Sequence, residues 1–208
     1  MAKKPLATPA AVLAAVLLLH CCAALTDIAG ALANLQRLRF KLGGVHGFSL
    51  AGIPLAGKAG LTDFSIEDGA RLFKAVNSRK LPADFILDVL AVNPNDGTRG
   101  TTKTAATLSG LESRLFIDGQ PTVYGDITAP VEIPDTGQAA TISLRLSLDL
   151  YEFFGSRGYD KLIELALAIG GREGGATRLS LDALPRVMTP FGEIRYPGRI
   201  MIIDKEFR

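Results

Sequence analysis

The run Ile142-Ser143-Leu144-Arg145-Leu146-Ser147-Leu148-Asp149-Leu150 alternates apolar and polar residues without a break. A period of two sends successive side chains to opposite faces of a pleated strand, so this run predicts a strand with one buried and one wet face. Gln36 to Leu42 alternates in the same way, setting Leu38, Phe40 and Leu42 against Arg37, Arg39 and Lys41. Gly43-Gly44 breaks that run, and Val45 to Leu55 reads as a second strand with a bulge or bend at Gly52. Leu61 to Ile66 is a short third strand. Phe85 to Val92 is apolar nearly throughout apart from Asp88, the pattern of a strand covered on both faces. Further strands are expected over Ala105–Leu111, Ser113–Asp118, Thr177–Ala183 and Arg199–Ile203, with a strand pair or one long bent strand over Thr122–Pro134.

Two stretches change period to about 3.6. The first, Ala70 to Lys80, has Asp68 as its cap and Pro82 as its stop, and either it or a terminal segment is expected to cover Phe85–Val92. The second, Tyr151 to Gly170, is interrupted by Gly155 and Gly158, and it sets Leu162, Leu165, Ala166 and Ile169 on one buried stripe. Between these elements stand turn-forming clusters, the longest being Asn93 to Thr102, a loop rich in Asn, Pro, Asp, Gly and Thr expected to lie outside the core. Eight or nine short strands at roughly ten-residue spacing with two helices predict an antiparallel β-sandwich.

The amino end departs from this pattern. Lys3 and Lys4 precede Ala10 to Leu19, ten residues without charge. As a helix that run spans about half a bilayer core, which predicts a secretory signal over residues 1–22 rather than a permanent anchor, then a tether over 23–34 and one domain over 35–208. Cys21 and Cys22 are the only cysteines, and vicinal cysteines with no distant partner cannot build a disulfide framework. Leu18-Leu19-His20-Cys21 and Leu19-His20-Cys21-Cys22 both resemble a bacterial lipoprotein box, with His20 or Cys21 where that box has small residues. Either cysteine is therefore a candidate lipid attachment site, and ordinary cleavage near Cys22-Ala23-Ala24 is the alternative. The expected location is extracytoplasmic, in the periplasm or tethered to a membrane.

Charge adds little. The chain has 23 basic and 21 acidic residues, and setting Lys3 and Lys4 aside leaves a neutral domain. With no basic run interleaved with aromatics, the footprint of nucleic-acid binding is missing. His46 is the only histidine after the leader, so a metal site would have to rest on carboxylates, and none is expected. No Gly-x-Ser-x-Gly elbow is present. Asp84 and Asp88 share a strand face but stand about 13 Å apart by the usual rise, too far for a paired-carboxylate site. The glycine-rich loop Gly170 to Gly175 follows a helix and leads into a strand, the reverse of a phosphate-binding loop. No catalytic residue and no cofactor is expected. Tyr151, Phe153, Phe154 and Tyr159 would line a groove for an apolar ligand or close one end of the core.

The order of short motifs is more specific than any one of them. Asn93-Pro94-Asn95 closes the Phe85–Val92 strand, Asp118-Gly119 follows Ile117, and Val131-Glu132-Ile133-Pro134 precedes the Ile142–Leu150 strand and a helix. In that order, over about Leu81 to Leu184, the chain resembles the late-embryogenesis-abundant type 2 (water-stress and hypersensitive-response) domain, and most closely its extracytoplasmic bacterial members. The resemblance implies an immunoglobulin- or fibronectin-like sandwich with added helices, in which Asn93, Pro94, Asn95, Asp118, Gly119, Ile133 and Pro134 are structural. It also implies a stress-associated, desiccation-type role without catalytic residues. The function expected is non-enzymatic shielding or binding of other molecules at the cell envelope, with a membrane, a client protein or a lipid as partner. A carrier for lipid or another apolar ligand is the alternative, and an envelope hydrolase using His46 a remote one.

Overall fold

The computed structural model describes residue 30 and residues 32–98, 103–172, 175–189, 192–204 and 207. The stretch read as a signal peptide, with Cys21 and Cys22, and most of the stretch read as a tether lie outside the described residues. Among the described residues ten strands form two antiparallel sheets: β1 (Arg39–Leu50), β2 (Ile53–Pro54), β3 (Pro82–Val92), β4 (Ala106–Ile117), β5 (Gln120–Gly125), β6 (Val131–Ile133), β7 (Ala139–Asp149), β8 (Leu179–Thr189), β9 (Gly192–Arg195) and β10 (Ile200–Ile202). One sheet has the order β2-β1-β3-β7. The other has β10-β8-β4-β5, with β6 added to β4 and β9 to β8. The fold is mainly β and sandwich-like, and one apolar core runs from Leu35 to Ile202.

The alternating run behaves as its pattern dictates. β7 pairs with β3 from Pro82↔Asp149 to Val92↔Ala139 without a register shift, and Ile142, Leu144, Leu146, Leu148 and Leu150 are buried. On β3, Ala83, Phe85, Leu87, Val89 and Ala91 enter the core, whereas Ile86, Asp88 and Leu90 are only half-buried. β3 is thus covered on one face, not two. Its outer apolar residues Ile86 and Leu90 stand opposite Arg145 and Lys41 of the flanking strands.

Several elements differ from expectation for identifiable reasons. Gly43-Gly44 does not end β1. It is absorbed in a register shift between Leu42 and Val45, and a second shift follows between His46 and Ser49, where Gly47 has φ +59°. Two inserted residues restore parity, so Phe40, Leu42, Phe48 and Leu50 all face the core. β4 likewise runs through the break expected at Glu112, where its register with β8 is regular, and its shift against β8 lies earlier, between Leu108 and Gly110. β8 extends through Pro185, which falls between the residues paired by β10 and by β9. There no neighbour needs the missing N–H.

Leu61–Ile66 is not a strand. A 3-10 turn covers Leu61–Asp63 and α2 spans Ile66–Asn77. The Asp63 carboxylate accepts from the Ala59 and Gly60 amides at 2.7 and 3.2 Å. Ser65, not Asp68, caps α2: its hydroxyl accepts from the Asp68 amide at 3.0 Å while the Asp68 carboxylate accepts from the Ser65 amide at 3.3 Å, a reciprocal capping box. The helix stops at Asn77, where the Ser78 hydroxyl donates to the Lys74 and Ala75 carbonyls and Arg79 turns to φ +55°. Pro82 instead begins β3.

The second helical stretch is split into α3 (Leu150–Phe154) and α4 (Tyr159–Gly170) by a 3-10 turn over Gly155–Arg157, at the two glycines the sequence marks. A further helix, α1, includes residues 32–37. Leu35 is buried and Leu32 packs on the core, so the folded body takes in the end of the stretch read as tether. The expected alternation of Gln36 and Arg37 therefore belongs to a helix, and β1 starts at Arg39.

Candidate functional site

The structure divides the motif residues between two ends of the sandwich. Asn93, Pro94, Asn95, Ile133 and Pro134 gather where β3 and β6 end, while Asp118 and Gly119 form the two-residue turn at the far end of β4.

At the first end the strand does stop after Val92, and Gly97 and Thr98 of the loop are exposed as expected, but the first residues of the loop are not outside the core. Asn93 is fully buried and Asn95 nearly so. Short polar side chains are tolerated there because each amide is used. Asn93 Nδ2 donates to the Thr104 and Ile133 carbonyls at 2.8 and 3.4 Å, and its Oδ1 accepts from the Asn95 amide and Nδ2 at 3.0 and 2.8 Å. Asn95 Nδ2 also donates to the Asn34 carbonyl at 3.0 Å. Three separate segments, α1, the loop before β4 and β6, are thereby tied to the end of β3. Asn95 Oδ1 is buried with no hydrogen-bond partner among the described residues. Beside it a cavity of about 120 Å³ is lined by Asn34, Leu35, Asn95, Thr104, Val187 and Met188 among others. A larger open cleft of about 620 Å³ includes Gln36, Arg37, Arg39, Pro94, Asp96 and Tyr196.

At the other end Asp118 and Gly119 adopt φ +52° and +77°, the geometry of a tight hairpin turn. The Asp118 carboxylate takes both Arg178 Nε and Nη2, at 2.7 and 2.6 Å, and Arg157 Nη1 at 2.9 Å. Arg157 in turn lies 4.6 Å from the ring centre of buried Phe154. Arg178 borders three shallow clefts, the largest of about 580 Å³ and shared with Lys58, Leu61 and Glu164. Burial works against ionisation of Asp118, but the hydrogen bonds and charges of Arg178 and Arg157 outweigh it and hold the carboxyl below the usual aspartate value. A lowered folded pKa adds stability that is complete above the unfolded value and is lost as pH falls through the folded one. Asp118→Asn is therefore expected to cost about 1–2 kcal/mol at neutral pH, the range for partly exposed charged hydrogen bonds. In denaturation series against pH, the gap between wild type and variant should narrow below about pH 4, as the wild-type carboxyl protonates. A gap that does not change with pH would show that the turn, not the charge, is responsible.

His46 does have a partner. Its Nε2 lies 2.7 Å from Asp88 Oδ2, and Asp88 Oδ1 accepts from the Ser143 hydroxyl at 2.7 Å. The three residue types of a hydrolytic triad stand together in the wrong order. Asp88 sits between the other two, so the imidazole does not contact the hydroxyl it would have to deprotonate. Among the described residues no cluster of three or more His, Cys, Asp or Glu side chains is placed to hold a metal ion.

The aromatic cluster at α3 and α4 closes the core. Phe154 is buried, Tyr151, Phe153 and Tyr159 pack against the core from its edge, and Leu162, Ile163, Leu165, Ala166 and Ile169 are all buried. At Gly170 a Cβ would fall 2.1 Å from Phe48 Cγ, so the end of α4 rests directly on β1. Among the described residues no helix is long and apolar enough to cross a membrane.

No protein-family model matches the sequence, and no curated protein does. Among solved structures, the chain is similar over 61% of its length to a protein from Archaeoglobus fulgidus, of which 82% is covered, at 12% identity and a TM-score of 0.32. At that score the likeness carries no argument about fold family or function.

Proposed function

We propose that this chain is a non-enzymatic binding or shielding module of the cell envelope, of the late-embryogenesis-abundant type 2 kind, built on an immunoglobulin- or fibronectin-like sandwich. The observation that carries this reading is the filled interior under α4. The helix the sequence leaves free to roof a groove is pressed onto Phe48 instead, which directs binding to the outer surface and argues against an interior lipid carrier. The Ser143-Asp88-His46 order supports the non-enzymatic part. Cys21 or Cys22 would supply the lipid that holds the domain at a membrane, and labelled fatty acid should enter the chain and vanish with the modified cysteine changed to Ser. The stress role predicts that a labile enzyme dried or frozen with the purified protein keeps more activity than with equal albumin. Equal recovery would remove that role.

A further inference from the structure

The sheet β2-β1-β3-β7 ends on β7 with an open edge. The Leu150 amide donates to the Leu81 carbonyl at 2.9 Å, and β7 continues this pairing to Val92↔Ala139 with no register shift. Hydrogen-bonded positions alternate along an antiparallel ladder, so Leu148, Leu146, Leu144 and Ile142 direct their N–H and C=O to β3. Thr141, Ser143, Arg145 and Ser147 direct theirs the other way, and all four are exposed. Among the described residues no backbone hydrogen bond meets those outward groups. The other strand edges are short or interrupted. β2, β6, β9 and β10 have two to four residues, β5 contains Pro121, and β1 carries two register shifts and donates its Leu42 amide to the Ile203 carbonyl. Bulges, proline and short length are the devices that keep an edge from pairing. β7 has none of them over eleven residues, and its one mid-strand charge is Arg145.

A row of alternating N–H and C=O groups is completed by an extended backbone, and β7 is its own complement. We infer that β7 pairs antiparallel with β7 of a second copy about a twofold axis through Leu144, joining two four-stranded sheets into one. In that register Thr141 stands opposite Ser147 of the partner subunit and Ser143 opposite Arg145 of the partner subunit. Each such pair exchanges two hydrogen bonds, about eight in all. Odd positions meet odd positions, so buried Ile142, Leu144, Leu146 and Leu148 of both copies stay on one side of the joined sheet and the polar residues on the other. Moving the axis to Arg145 would set that cation against itself, and like charges directly opposite disfavour pairing. Moving it to Ser143 would leave the last two residues of β7 unpaired. A strand of another protein finds little here to select it, since the outer face offers only Thr141, Ser143, Ser147 and the single charge of Arg145. Every copy, by contrast, carries an edge of the same length and pattern, and a twofold contact uses both edges at once and closes. The inference does not rest on the envelope reading.

The test uses the full chain with Cys21 and Cys22 changed to Ser. Sedimentation equilibrium from about 5 to about 500 μM, the range for a contact smaller than a standard interface, should show a monomer passing to a dimer and no larger species. Thr141→Cys chains mixed with Ser147→Cys chains should form a disulfide-linked dimer on mild oxidation, because opposed residues stand about 5.5 Å apart between Cα atoms. Neither variant alone should do so, since its two cysteines would lie about 20 Å apart in the dimer. Charge reads the same register. Thr141→Lys with Ser147→Lys opposes like charges across the axis, and Thr141→Glu with Ser147→Lys opposes unlike ones. The first should dimerise about tenfold more weakly than the second. The two variants differ only at position 141, opposite uncharged Leu90, so as dilute monomers they should melt alike, which a thermal scan checks. A parent that stays monomeric at the highest concentration would overturn the proposal, as would growth into larger species or equal dimerisation of the two charge variants. So would cross-linking of either single-cysteine variant as readily as the mixture, which would place the contact in another register or on another surface.

Discussion

Asn93→Ala should be among the most damaging single substitutions outside the apolar core, costing about 3–5 kcal/mol. The Asn93 amide makes four hydrogen bonds while fully buried, and each buried polar group left without a partner costs about 1–3 kcal/mol. Asn95 Nδ2 keeps the Asn34 carbonyl, so the main losses fall on the Asn95 amide and the Thr104 and Ile133 carbonyls. Asn93→Asp should be at least as harmful. It keeps an acceptor for Asn95 but turns a charged oxygen toward two carbonyls in a dry site. Chemical denaturation measures both, with exposed Glu132→Gln as a control expected within about 0.5 kcal/mol of wild type. A loss below about 1 kcal/mol in Asn93→Ala would mean that the residue merely ends a strand.

That contrast shows what the sequence could reveal. Asn93-Pro94-Asn95 is legible as a strand terminator because proline lacks an N–H and asparagine favours turns. Its burial was hidden, because the partners of Asn93 lie at Thr104 and Ile133 and depend on how distant segments meet. Periodicity located β7, β3 and the helical stripe of α4 correctly, since side-chain alternation is a local property. It failed where one residue is inserted into a ladder: Gly43-Gly44 in β1 reads as a break, although pairing to β3 carries the strand across a bulge. It failed too at Glu112 of β4, which reads as a break although its register with β8 is unbroken from Gly110 to Ile117. The start of α2 was legible in principle, because Ser65-x-x-Asp68 has the spacing of a capping box. Reading Asp68 alone as the cap cost that helix its first turn. The ion pair of Asp118 with Arg157 and Arg178 was not legible, since it joins residues 39 and 60 positions apart. His46 was seen, but the order of its contacts with Asp88 and Ser143, which decides what it can do, depends on three strands lying side by side.

The closeness of α4 to β1 gives the second large effect. Phe48 is buried, stacks on Phe85 with ring centres 5.1 Å apart, and leaves no room beside Gly170. Phe48→Ala removes a core aromatic and should cost about 3–5 kcal/mol. Gly170→Ala should cost about 2–3 kcal/mol, because overpacking outweighs the small gain in helix propensity. The added methyl would stand 2.1 Å from Phe48 Cγ and 2.2 Å from its Cβ. Turning the ring can relieve only the first of these contacts, because the Cβ position is fixed by the backbone of β1. The double variant should therefore be less damaged than the sum of the two, by about 1–2 kcal/mol of coupling, yet still less stable than Phe48→Ala alone. Strict additivity would show that α4 does not bear on Phe48, and full rescue would show that only the ring is in the way. The intermediate result is expected only if helix and strand backbones are in contact, which is also the condition that closes the space between the end of α4 and β1 to a carried ligand.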